Sequence, residues 1–153
     1  MALALNIQNR QRIRAVNLRH LRRAVTTLLR DLLGIAQYDI SICFVNEEEI
    51  SRLNVSFHRH KGSTDVITFD YSERDGHAGN FLHGEIFVCV DEAVAQAKRF
   101  RTTWQAEMAR YIIHGLLHLL GFDDENPVQR KKMKREEDRL LERLRQQCDL
   151  AKL

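Results

Sequence analysis

Residues 111–124 read Tyr-Ile-Ile-His-Gly-Leu-Leu-His-Leu-Leu-Gly-Phe-Asp-Asp, and the rest of the chain is best understood outward from them. His114 and His118 stand four residues apart, so on a helix both project from one face, one turn from each other. That spacing lets both imidazoles reach a single ion at about 2.0–2.1 Å. Gly121 can adopt a positive φ, so the chain can turn back as soon as the helix ends. Asp124, three residues further on, is then placed to supply a third ligand; Asp123 is the rival, out of register with that spacing. Two imidazoles, one carboxylate and an open fourth position describe a catalytic metal site, because a structural one is closed. One zinc ion per chain is the first choice for these donors. Nickel or manganese stays open, since geometry and supply decide more than intrinsic preference.

A bare His-x-x-x-His is a weak signal, because two histidines on an apolar helix are more often packed or surface residues. The surroundings strengthen it. Ile112, Ile113, Leu116 and Leu120 lie largely away from the histidines, whereas Glu107, Arg110, Tyr111, His114 and His118 gather on another side. Polar groups that face inward need partners. The spacing His-x-x-x-His-x-x-Gly-x-x-Asp also matches the metzincin proteases, which carry Glu directly after the first histidine as general base. Gly115 occupies that position here, so the metal geometry is kept and peptidase chemistry is disfavoured.

Around this segment the hydrophobic pattern predicts an alternation of strands and helices. Residues 2–7 alternate as an edge strand does, with Leu3, Leu5 and Ile7 on one side. Residues 14–33 predict an amphipathic helix with a stripe of Leu18, Leu21, Val25, Leu28 and Leu32, stopped by Gly34. Strands are expected over 39–45, 65–69 and 85–90, with a polar loop over 73–80. Asn46 is placed to cap a short helix whose first residues are Glu47, Glu48 and Glu49. Helices follow over 91–100 and from a Thr102/Gln105 capping box to Leu120. Asn126-Pro127 opens a last one carrying Met133, Leu140, Leu141, Leu144 and Cys148. The order β-α-β-α-β-β-α-α-α predicts one α+β domain over 1–153: a small mixed four-stranded sheet, helices packed mainly on one side, and a zincin-like metal helix.

Composition excludes several alternatives. With 44% hydrophobic and 29% charged residues and one Pro, the 153-residue chain is neither disordered nor repetitive. The longest apolar run, 111–122, is broken by both histidines, so no membrane span or membrane partner is expected. Residues 1–14 place no cationic region before an apolar one, so no secretory signal is expected and the cytoplasm is the expected location. Cys43, Cys89 and Cys148 form no Cys-x-x-Cys clip and read as reduced thiols. The net charge of +3 is uneven: +7 over residues 1–30, −8 over 31–96 and +4 over 97–153. A basic edge beside an acidic middle suggests a polyanionic partner, although Arg-rich helix faces are often plain solvated surface.

Three motifs together resemble one family. His-Gly-Leu-Leu-His-Leu-Leu-Gly-Phe-Asp-Asp at 114–124 is similar to the HGxLHLxGYDH signature of the YbeY family, single-strand-specific metallo-endoribonucleases of ribosomal RNA maturation. Asn54, Phe57, Arg59 and the run 63–69 resemble that family's N-x-x-[YF]-R…PTDVLSF segment, and His83-Gly84-Glu85-Ile86 its LG[DE]I strand. The resemblance implies a cytoplasmic, zinc-dependent RNase acting in 16S rRNA 3′-end maturation and ribosome quality control. Its implied partners are single-stranded rRNA and the small ribosomal subunit with its proteins. It implies His114 and His118 as metal ligands, with Asp124 where the third ligand is usually His, and Arg59 as the catalytic arginine acting on phosphate. Ser63 and Asp70 stand where the family has Pro. Asp124 would lower the site's charge by one unit and leave a bound water less acidic than three histidines would. Attack by water and by the RNA 2′-hydroxyl both remain open.

Several other residues carry two readings each. Asp65 either orients a metal-bound histidine or caps its own strand. His58, His60 and Lys61 either track RNA backbone or form a solvated loop, and Trp104, Tyr111 and Phe57 either stack bases or fill the core. Two alternative functions follow from the same residues: a metal-stabilised ribosome-assembly or RNA-binding factor without turnover, and a metallo-hydrolase of peptide or small substrates.

Overall fold

Apolar residues alternate through the two inner strands of a sheet with order β1-β2-β4-β3. Its strands are β1 (Leu3–Asn9), β2 (Gln37–Val45), β3 (Val66–Asp70) and β4 (Phe81–Cys89). The structure is a computed structural model describing residues 3–58, 64–72 and 81–153. β1 pairs with β2 and β2 with β4 in parallel, while β3 runs antiparallel to β4. The helices are α1 (Leu18–Thr26), α2 (Glu47–Leu53), α3 (Val90–Phe100), α4 (Trp104–Leu119) and α5 (Pro127–Gln147).

Because successive strand residues point to opposite faces, each inner strand serves two cores. Tyr38, Ile40, Ile42 and Phe44 of β2 and Leu82, Ile86 and Val88 of β4 join one large cluster with α1, α4 and α5. Cys43, Val45, Phe87 and Cys89 point the other way, where Ile67 of β3 extends the same face and Ile50 of α2 packs against it. The helices are therefore packed mainly on one side, as expected, with α2 the exception.

Most boundaries shift by a residue or two, and two helix starts move for a local reason. The helix expected from residue 14 begins at Leu18, because buried Gln11 organises the preceding residues into a turn. Its Nε2 donates to Asn9 Oδ1 (2.7 Å) and to the Arg14 carbonyl (2.8 Å), and its Oε1 accepts from the Ile13 and Arg14 amides (2.8 and 3.0 Å). Asn17 then caps the helix by accepting from the His20 amide (3.2 Å). The cap of α4 is Thr103, which accepts from the Ala106 amide (3.1 Å), while Thr102 donates instead to the Glu107 carboxylate (2.7 Å). β4 starts at Phe81, four residues before the expected strand.

Helix α4 lies on the sheet at two glycines, one from each partner. A Cβ on Gly84 of β4 would stand 2.6 Å from both Leu119 Cδ2 and the Phe69 carbonyl oxygen. A Cβ on Gly115 of α4 would stand 2.9 Å from Ile86 Cδ1. Neither contact leaves room for a side chain.

Two measurements test this packing. Gly84→Ala should destabilise the fold by about 1–3 kcal/mol in urea unfolding, because the backbone carbonyl of Phe69 cannot withdraw. Gly115→Ala should cost less, since the end of the Ile86 side chain can shift. Burial also pushes the Cys43 and Cys89 thiols up to about 11. At neutral pH a thiol reagent should therefore react quickly with half-buried Cys148 alone, and with all three cysteines only after denaturation. Fast reaction of all three in the folded protein would contradict the buried strand positions.

Candidate metal centre

The site is built by the end of α4. Its last turn closes in a Schellman motif: the Gly121 amide donates to the His118 carbonyl (3.0 Å) and the Phe122 amide to that of Leu117 (3.0 Å). Gly121 takes φ +100°, a conformation that most side chains resist. The turn brings the Phe122 carbonyl within 3.1 Å of His118 Nδ1 and returns Asp124 to the helix face carrying both histidines. Asp123 is used differently, its Oδ1 accepting from the Asp124 amide (2.7 Å). Asp124, not Asp123, is the carboxylate that joins the histidines.

The three donor atoms converge. His114 Nε2 and His118 Nε2 lie 3.1 Å apart, and Asp124 Oδ2 lies 3.6 and 3.7 Å from them. Ligand atoms about 2.0–2.1 Å from a tetrahedral ion stand roughly 3.3 Å apart, so this set fits a single ion. His114, His118 and Asp124 are thus able to hold a metal.

The opposite ring nitrogens explain why the lone pairs face inward. His114 Nδ1 sits 2.7 Å from Glu137 Oε2 on α5, and His118 Nδ1 faces the Phe122 carbonyl. Each partner only accepts, which assigns the proton to Nδ1 and leaves Nε2 as an acceptor toward its neighbour. Two Nε2 lone pairs and a carboxylate oxygen facing one another repel unless a cation lies between them. Burial pulls the His114 imidazole down, but the hydrogen bond and charge of Glu137, with Asp65 and Asp124, outweigh it and raise the net value. Glu137 is itself buried, and Arg110 Nη1 stands 3.7 Å from its other oxygen and 2.8 Å from Asp138 Oδ1.

The donors open on a cleft of about 470 Å³, whose far wall carries Asn54, Thr64, Asp65, Thr68 and Asp70. Burial raises the Asp65 carboxyl above the usual range, against the charge of His114 and the Val66 amide. That amide bond supports the strand-cap reading of Asp65; the carboxylate that orients a histidine is Glu137. Sequence reasoning missed it, although Glu137 repeats the Met133 position one turn later on the apolar face of α5. The polar seam of α4 is partnered throughout: Glu107 by Thr102, Arg110 by Asp138, and Tyr111 Oη by the Glu92 carbonyl (3.5 Å). Tyr111 is buried and Trp104 packs against the core, so both belong to the interior. Arg59, His60, Lys61 and Ser63, with the side chains of Phe57 and His58, lie outside the described residues. Counting from Asn54, the family's arginine position falls on His58 and Arg59 comes one later, so both are candidates for that role.

Fold and site together define an α+β protein with an open, helix-borne His-His-Asp centre of the kind that holds a metal. The family model described as Endoribonuclease YbeY matches residues 5–145, and the chain belongs to that family. Relatives named Endoribonuclease YbeY include one from Parabacteroides distasonis, 39% identical over 110 residues, spanning 72% of this chain and 74% of its own. Another, from Chlorobium phaeovibrioides, is 35% identical over 139 residues, 91% of this chain and 89% of its own. A solution structure of a Thermotoga maritima protein is similar at a TM-score of 0.65 and 26% identity, covering 92% of this chain and 88% of that one. No helix among the described residues is long and apolar enough to cross a membrane.

If Glu137 fixes the His114 ring, Glu137→Ala should weaken zinc binding about 10–100-fold in a chelator competition. Glu137→Gln, whose amide oxygen can still accept from Nδ1, should lose less.

Proposed function

We propose that this chain is a zinc-dependent endoribonuclease that cuts single-stranded RNA by metal-assisted phosphodiester hydrolysis. One ion per chain would be held by His114, His118 and Asp124. The observation that carries this reading is the convergence of those three donors on one open cleft, with both Nδ1 protons committed elsewhere. Membership of a family whose named relatives are endoribonucleases supports RNA as the substrate. The family resemblance further supports the rRNA of the small ribosomal subunit, with 16S rRNA 3′-end maturation and ribosome quality control as the task. The subunit and its proteins are then the proposed partners, and the cytoplasm the proposed location.

When bound, the ion supplies Lewis acidity toward a phosphoryl oxygen and lowers the pKa of a water molecule. The chain's own groups do the rest. Glu137 and the Phe122 carbonyl hold the two imidazoles in the tautomer that presents Nε2 to the ion. Thr64 and Thr68 bring hydroxyl groups to the cleft lining, where a sugar or phosphate would lie. Arg59 is proposed to brace the phosphate through its bidentate fork. The peptidase alternative loses further support, because Ile86 packs where a general base on residue 115 would have to stand.

Elemental analysis and an RNA-cleavage assay on the same preparation test the proposal. About one zinc per chain and cutting of a single-stranded oligonucleotide are expected. His114→Ala and Arg59→Ala should each lower the rate by about 100-fold or more with the fold retained; His58→Ala reports on the neighbouring position. A 2′-O-methyl substrate separates the nucleophiles, since only attack by water survives it. Cleavage that persists equally in both alanine variants, or cutting of a peptide and not of RNA, would end the nuclease reading.

A further inference from the structure

Among the described residues, the acids that line the cleft are an unfavourable surface for a polyanion. Those acids are Asp65, Asp70 and Asp124, and Glu137 lies just behind His114. Among the described residues, a dense group of cations stands at the start of α5, just after the loop that carries Asp124. Arg130, Lys131, Lys132, Lys134 and Arg135 fall within six residues, and all are exposed.

Two contacts join this group to the metal loop. Arg130 Nη1 donates to the Asp124 carbonyl (3.3 Å), and Lys132 Nζ lies 5.8 Å from the ring centre of Phe122, whose carbonyl holds His118. The acids that follow on α5 are engaged elsewhere: Glu136 with Arg139, Glu137 with His114 and Asp138 with Arg110. The arrangement works against the helix that carries it. Arg130/Lys134 and Lys131/Arg135 are like charges one turn apart, and no acid in the first turn offsets them at the positive end of the helix dipole. A bound polyanion would relieve both conflicts.

The geometry points to this strip of α5 as a track for the phosphate backbone of single-stranded RNA, leading the strand to and from the metal loop. The inference rests on the nuclease reading for its substrate class, and its test separates the two. The probe is a fluorescent, single-stranded 2′-O-methyl RNA, titrated with the zinc-loaded full chain from about 50 to about 200 mM salt. The variant is Lys131→Gln/Lys134→Gln/Arg135→Gln, which leaves Arg130 and Lys132 in place at the loop. Each backbone contact on a single strand contributes about 0.7 to the slope of log affinity against log salt, so the slope should become shallower by about 2. Affinity at about 100 mM salt should fall roughly tenfold, with zinc content maintained and the melting temperature equal to or slightly above that of the wild type. An unchanged slope and affinity would overturn the track, as would polyglutamate displacing the RNA as effectively as an RNA competitor. If the wild-type chain binds through the strip but cuts nothing, the track stands and the nuclease reading fails. If it cuts RNA while the variant keeps the wild-type slope, only the track fails.

Discussion

The metal centre depends on how closely α4 approaches β4. Glycine on each side removes the Cβ atoms that would hold the two backbones apart, so Leu119 settles over Gly84 and Ile86 settles under Gly115. That interlock fixes both the height and the rotation of the helix, because close-packed side chains leave no freedom to roll. With the rotation fixed, the apolar face carrying Ile112, Ile113 and Leu116 is buried, and the histidines come out beside residues 64–70, which include β3. A glutamate after the first histidine is incompatible with this packing. The change of chemistry relative to the metalloprotease pattern is therefore tied to how the helix sits on the sheet.

The second constraint is electrostatic. Nδ1–H of His114 is spent on the Glu137 carboxylate and Nδ1–H of His118 on the Phe122 carbonyl, so both Nε2 lone pairs turn toward Asp124. Hydrogen bonds to other groups could have satisfied these imidazoles, but this arrangement concentrates negative potential at one point. Binding of a cation would recover the stability given up there and so couple metal affinity to the folded state. The Schellman turn is part of the same device, since it places the Phe122 carbonyl and Asp124 in one movement of the chain.

Much of this was legible because it is local. His-x-x-x-His-x-x-Gly-x-x-Asp encodes a helix face, a turn and a returning ligand within eleven residues, and Asn46 and Asn126 announce their helices by cap chemistry alone. Glu137 was not legible as a partner of His114. The two lie 23 residues apart, and only the packing of α5 on α4 brings them together. The helix expected from residue 14 starts four residues late for a related reason: helical spacing was present, but the Gln11 side chain satisfies the nearby backbone amides in its place. Thr102 and Thr103 are both able to cap, and the choice between them turned on where Glu107 could be reached. Arg59 lies outside the described residues, and the family pattern leaves the arginine position shared between it and His58.

Asp124 gives the site a charge balance that has consequences beyond the ligand set. Two neutral imidazoles, Asp124 and the Glu137 carboxylate behind His114 carry two negative charges, which a divalent ion would only cancel. A third imidazole in place of Asp124 would leave the same assembly with one positive charge. A phosphate approaching a metal-loaded centre of this kind would meet little net attraction, and a bound water would be less acidic than beside three histidines. The attraction must come from groups outside the ligands. Cations beside the Asp124 loop, such as Arg130 and Lys132, can supply it. A carboxylate ligand and a basic start to α5 are on this view one adaptation: charge withdrawn from the ion is returned along the path by which a polyanion would arrive.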